Sequence, residues 1–172
     1  MSVPPPPPLS RPVEVGRLPR GRAEVTVEAT PGECAALAQT FDIPAVRDLV
    51  GRFVLTGTLS RLTVKGTVEA VATQVCTLSL EPFETSLREP VEVVFSDAPP
   101  PEEPEAATDE GAPEPPDPIV NGRIDLGALT AEFLALGLDP YPRKPGVSFE
   151  PAPAEPERGP FDVLRRLHDG EG

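Results

Sequence analysis

A chain of 172 residues with 26 prolines and thirteen excess negative charges holds enough material for one modest domain, and only if most of it folds. That composition predicts segments outside the fold, and net acidity makes the chain a poor nonspecific binder of nucleic acid, which depends on positive side chains meeting phosphates. RNA contact would need a local basic patch. No apolar run is long enough to span a bilayer, and Met1-Ser2-Val3 followed by prolines lacks the basic and apolar regions of a signal peptide. The expectation is a cytoplasmic protein with two thiols, Cys34 and Cys76, rather than a disulfide.

Residues 1–8 end in Pro4 to Pro8 and read as a disordered, proline-rich arm, or as a polyproline recognition ligand. From Leu9 to Arg22 the charge reverses, with Arg11, Arg17, Arg20 and Arg22 against Glu14 alone. This piece is either a solvated strand and turn or a phosphate-contacting patch. Arg22 to Ala29 alternates apolar Ala23, Val25, Val27 and Ala29 with polar neighbours, which predicts a half-buried strand. Thr30-Pro31-Gly32-Glu33 then carries an N-cap threonine, a proline at the first helical position and a glutamate at the third, a capping box. The helix predicted to follow runs to about Thr40, with Cys34, Leu37, Ala38 and Phe41 on its inner face. Between Ala45 and Leu59 the odd-numbered residues, Arg47, Leu49, Gly51, Phe53, Leu55, Gly57 and Leu59, predict a strand, although Pro44 to Val50 is also compatible with an opening helical turn.

The segments Leu62 to Val75 and Glu84 to Phe95 form the strongest pattern. In the first, Val64, Gly66, Val68, Ala70 and Ala72 share one face; in the second, Thr85, Leu87, Val91, Val93 and Phe95 do so. Residues 76–83 have turn chemistry, and Pro90 places the second strand at an edge or a bulge because it cannot donate to a ladder. Residues 97–118 contain no basic side chain and no apolar period, and read as an acidic disordered loop or a tail for a basic partner. Asn121-Gly122 between two short apolar runs predicts a type I′ turn. Asp125 stands at the N-cap of a helix carrying Leu126, Leu129, Phe133 and Leu136 and stopped by Gly137, so capping is assigned to it in preference to acid catalysis. Asp139 to Gly146 is a proline-pinned loop with Tyr141, Arg143 and Lys144, either a contact surface or a packing loop. A second spacer precedes a short helix from Pro160 with Phe161, Leu164 and Leu167 in one stripe.

Chemistry-bearing patterns are missing. His168, beside Asp169, suits the last turn of a helix rather than a general base. Two cysteines and one histidine supply no zinc spacing, and no phosphate loop, nucleophile elbow or dinucleotide fingerprint occurs. No catalytic residue, metal or cofactor is assigned, and the expectation is a binding protein rather than an enzyme.

Taken in order, Val64-Lys65-Gly66-Thr67-Val68, Gln74-Val75-Cys76 with Leu80-Glu81-Pro82-Phe83, Gly122 to Gly127, Asp139 to Gly146 and Pro160-Phe161 resemble the YceD family, the large ribosomal RNA subunit accumulation proteins. The resemblance runs from about Pro12 to Leu167. It implies a non-catalytic bacterial factor needed for accumulation of large-subunit (23S) ribosomal RNA, with plastid relatives and members often encoded beside a small basic large-subunit ribosomal protein. Many members carry Cys-x-x-Cys where this chain has Cys76-Thr77-Leu78-Ser79, and some carry a further cysteine cluster where it has Arg143 and Lys144. No metal site is therefore expected here.

The combined expectation is an α+β fold: an antiparallel sheet, open or approaching a barrel, two main helices, a short C-terminal helix and an acidic proline-rich loop. Its boundaries are a disordered arm at 1–8, one domain over 9–168 interrupted by 97–118, and a tail at 169–172. Thr30, Glu33 and Asp125 are structural caps, and Arg17, Arg20, Arg22, Tyr141, Arg143 and Lys144 are candidate partner contacts. The partner is a large-subunit ribosomal RNA precursor or a basic large-subunit ribosomal protein, with no membrane and no small-molecule substrate. Two alternatives are an acidic chaperone-like module unrelated to ribosomal RNA and a small-ligand-binding β-barrel.

Overall fold

A computed structural model describes residues 7–98 and 115–148. The expected polyproline start, the middle of the acidic loop and the short helix from Pro160 with His168 lie outside the described residues. The elements are β1 (Pro12–Glu14), two 3-10 turns (Val15–Arg17 and Pro19–Gly21), β2 (Arg22–Glu28), α1 (Pro31–Thr40), β3 (Ala45–Thr58), β4 (Arg61–Val75), β5 (Pro82–Ser96), β6 (Asp117–Pro118), β7 (Arg123–Asp125) and α2 (Leu126–Gly137).

β2, β3, β4 and β5 form an antiparallel meander, and β6 joins β5 in parallel. A separate pair joins β1 to β7. The strand order β2-β3-β4-β5-β6 does not return on itself, so the sheet is open and the barrel alternative is corrected. Both helices contribute to one core cluster with the sheet: Leu37 from α1 and Leu126, Leu129 and Leu134 from α2 join Phe53, Leu55, Val64, Val68 and Val91. The opposite face of the sheet is polar and carries ion pairs across strands, including Arg52–Glu69, Arg47–Glu84 and Lys65–Glu92. One covered face and one wet face are what period-two antiparallel strands allow.

Four local features depart from the sequence expectation. β3 is strand throughout, without the alternative helical turn, but Asp48 takes a φ of 55° and the β3–β4 register shifts between Arg47 and Val50. The resulting bulge changes the phase of the strand: Val46 and Leu49 are buried and Arg47 is exposed, although the latter shares parity with the core positions. On α2 the inner face uses Leu134, 1% exposed, whereas Leu136 is 67% exposed. Gly137 does not end that helix through a left-handed cap. It is the last helical residue, Leu138 caps it in extended conformation, and a Cβ on Gly137 would lie 2.8 Å from Glu89 Cγ. Finally, Asp117–Pro118 at the end of the expected acidic loop forms β6, with Phe95 paired to Asp117.

The short-range signals agree with the structure. Asn121 and Gly122 have φ of 52° and 72°, and Val120 and Arg123 exchange both backbone hydrogen bonds at 3.2 and 3.0 Å, the type I′ geometry. Pro90 sits in unbroken register with Thr67. The Ile119 N–H donates to the Ser96 carbonyl on the β6 side, and the Asp97 N–H donates to the Leu59 carbonyl on the β4 side. Because backbone groups alternate in direction along a strand, even-numbered residues of β5 turn theirs away from β4. The donor that Pro90 lacks would have pointed outward, so the internal ladder loses nothing.

Candidate functional site

Three places collect charged side chains. The first is the junction of the two helix starts. Thr30 accepts from the Glu33 N–H while the Glu33 carboxylate accepts from the Thr30 N–H at 2.8 Å, completing the capping box. Arg11 donates two guanidinium hydrogen bonds to the same carboxylate, at 2.8 and 3.0 Å. Those bonds, followed by the Thr30 N–H, hold the Glu33 pKa down to about 2. At α2 the Asp125 carboxylate accepts from Gly127 and Ala128 N–H, from the Ser10 hydroxyl at 2.6 Å and from the Arg11 N–H at 2.7 Å. Burial opposes ionisation here, but these donors together leave the pKa below that of an ordinary aspartate. With four donors converging on it, Asp125 is a structural anion. Arg11, placed in the basic N-terminal piece, joins the two caps.

The second place is the lower end of the β4–β5 hairpin. Thr77 N–H donates to the Pro142 carbonyl at 2.8 Å, and buried Gln74 donates through Nε2 to the Asp139 carbonyl. Lys144 pairs with Glu81 at 2.9 Å. These bonds stitch the proline-pinned loop to the hairpin, leaving Tyr141 75% exposed and Arg143 exposed with no ion pair among the described residues. Cys76 is fully buried at the strand end and its Sγ accepts from the Ser79 N–H. The Ser79 hydroxyl and N–H, with the Lys144 N–H, lower the thiol pKa. Ser79 thus meets the thiol as a hydrogen-bonding partner. Among the described residues no group of three or more His, Cys, Asp or Glu is placed to hold a metal ion.

The other candidate cations lie elsewhere. Arg17 pairs with Glu14 at 2.6 Å and Arg22 approaches Glu24 at 3.6 Å; Arg20 is in the 3-10 turn Pro19–Gly21. Arg22 is opposite Thr56, which is opposite Thr63. From there to Cys76 along β4 is roughly 40 Å at ~3.3 Å per residue. The six candidate contacts therefore fall into two groups at opposite ends of the sheet.

The third place was not singled out in the sequence. Beside the β5 edge lies a groove of about 450 Å³ lined by Val93, Phe133 and Leu136, with Glu92, Asp117 and Glu132 around it and no basic residue. Glu132 and Leu136 are four apart in α2 and hence share a face. That spacing was legible, but assigning Leu136 to the core hid it.

No helix among the described residues is long and apolar enough to cross a membrane. Comparison with curated proteins and with solved structures yields no match. The family model described as large ribosomal RNA subunit accumulation protein YceD matches residues 64–161. That span begins within β4, takes in the rest of the hairpin, the Asn-Gly turn and α2, and covers more than half of the chain. The chain belongs to the YceD family, whose name assigns it to accumulation of large-subunit ribosomal RNA.

Proposed function

We propose that this protein supports accumulation of large-subunit ribosomal RNA by binding, without catalysing a reaction, and that its direct partner is a basic protein of the large subunit rather than the RNA. The distribution of charge carries this reading. Three of the five candidate cations, Arg17, Arg22 and Lys144, already face carboxylates, and the set is divided between two ends of the sheet. Such exposed pairs add little stability, about 0–1 kcal/mol each, but each lowers the local positive potential that a phosphate backbone needs. By contrast, residues 97–118 hold eight acidic residues and no basic one. A stretch of that sign attracts a basic partner and repels RNA.

The process is tested by the ratio of mature large-subunit to small-subunit ribosomal RNA in cells depleted of the protein and then complemented. A selective fall of the large species, restored by complementation, supports the role; an unchanged ratio overturns it. Partner class is tested by crosslinking. Replacing Arg17, Arg20, Arg22, Arg143 and Lys144 together with alanine should leave crosslinks to ribosomal protein intact. Loss of an RNA crosslink in that variant would instead place RNA on one or more of those five cations and overturn the choice of a protein partner.

A further inference from the structure

We infer that the outer edge of β2 is the seat of a second copy of this chain, joined antiparallel about a two-fold axis at Val25. The inference goes beyond the partner class argued above and does not depend on it.

The edge is open among the described residues. β2 stands at the end of the strand order and pairs with β3 alone. The Ala29 N–H donates to the Leu49 carbonyl, so odd-numbered residues of β2 direct their backbone groups to β3 and even-numbered ones direct theirs outward. The Glu28 carbonyl agrees, since it accepts from the Arg11 guanidinium at 3.4 Å instead of from the ladder. That leaves the N–H and C=O of Glu24 and Thr26 without a described strand beside them. Edge strands are ordinarily blunted by lysine, proline, a bulge or an inward charge. Arg22–Glu28 has none of these: it holds no Lys and no Pro, its register with β3 is unbroken, and the face it turns to the core is Ala23, Val25 and Val27. At the opposite margin of the sheet, by contrast, β5 contains Pro90 and is joined by β6.

Charge names the occupant. A two-fold axis sets the strand against itself, and the outward groups of two copies meet in registers centred on Glu24, Val25 or Thr26. The first puts Glu24 opposite Glu24, and the third puts Glu24 opposite Glu28 twice. Like charges directly opposite destabilise a pair of strands. The Val25 register puts Arg22 opposite Glu28 of the second copy at both ends, and Glu24 opposite Thr26 between them. Arg22, exposed, reaches Glu24 in its own strand only at 3.6 Å, so it is poorly engaged at home. The chain itself thus supplies a reciprocal partner for each charge that the register exposes.

The core side of the edge fits the same arrangement. Val13, Leu18, Ala23 and Val25 are half-buried there and line an open groove of about 570 Å³. Val25 meeting Val25 and Ala23 meeting Val27 would bring the grooves of the two copies together and withdraw that lining from water.

The test is sedimentation velocity on the full chain across a concentration series. A dimer should form, and its dissociation constant should rise about tenfold or more for Arg22→Glu and for Glu28→Arg, because each turns two attractive pairs repulsive. Combining the two exchanges should restore association, as for groups that act through each other. Thr26→Pro should leave a monomer with unchanged far-ultraviolet circular dichroism, since the N–H it removes points away from β3. If that variant unfolds, the charge exchange decides alone. A monomer at every concentration, a dimer indifferent to Thr26→Pro, or a double charge variant no better than the singles would each overturn the assignment. So would a chain that dimerises only after residues 149–172 are removed, which would make its own end the occupant of the edge.

Discussion

The junction around Arg11 and the groove beside β5 contain similar side chains put to opposite use. At the junction every carboxylate is met: Glu33 by Arg11 and the Thr30 N–H, Asp125 by Ser10, Arg11 and the first turn of α2. At the groove the Asp117 and Glu132 carboxylates have no ion-pair or hydrogen-bond partner among the described residues, and Leu136, which lines the same groove, is exposed. Charge that holds a fold is surrounded by fixed donors; the groove carboxylates face solvent.

The largest effect that would sharpen this contrast lies within one helix. Leu134→Ala should cost about 2–5 kcal/mol, as for a buried leucine truncated in a close-packed core, whereas Leu136→Ala should stay within about 0.5 kcal/mol. Urea melts of the two variants check it, and equal losses would place Leu136 in the core. Next is Asp125→Ala, expected to cost about 1–2 kcal/mol through loss of the α2 cap. Because Asp125 also accepts from Ser10 and Arg11, faster amide exchange at Arg11 and Leu126 should accompany it. If only helix amides changed, the junction would not tie β1 to α2.

A smaller, pH-dependent effect belongs to Glu33. Its folded pKa of about 2 is below the usual glutamate value, so its contribution is complete above the unfolded pKa of about 4.3 and disappears as pH falls through the folded value. Stability of the protein relative to Glu33→Gln should therefore converge between about pH 5 and pH 2. A constant difference across that range would mean that the carboxylate charge is not what matters. Smallest of all, Glu132→Gln should leave the melting temperature unchanged, since an exposed carboxylate with no partner among the described residues adds little that its amide lacks.

Much of the junction was legible because its signals are local. Thr30 and Glu33 are three residues apart, Asp125 directly precedes an apolar helix, and Asn121-Gly122 specifies its own turn. The alternation of β2 and β4 was equally readable, since each strand buries one face. What escaped depends on partners distant in sequence or on broken phase. Nothing near Arg11 announces Glu33 as its partner; the bulge at Asp48 inverts the parity that made Arg47 look inward; and Asp117–Pro118, strand by pairing, has the composition of a linker. The groove was missed for the same reason, because it exists only where β5, β6 and α2 come together.

The β1–β7 pairing carries a consequence for how the chain is built. Pro12 lies opposite Asp125, and the Arg11 N–H bond to Asp125 spans 114 positions. The hairpin of β4 and β5 closes over a turn of six residues, 76–81, and its ladder pairs only residues close in sequence. During synthesis the meander can therefore assemble as it emerges, while the residues made first wait with Leu9 and Val15 uncovered until α2 has left the ribosome. Residues 9–15 join the core only once β7 and α2 are present.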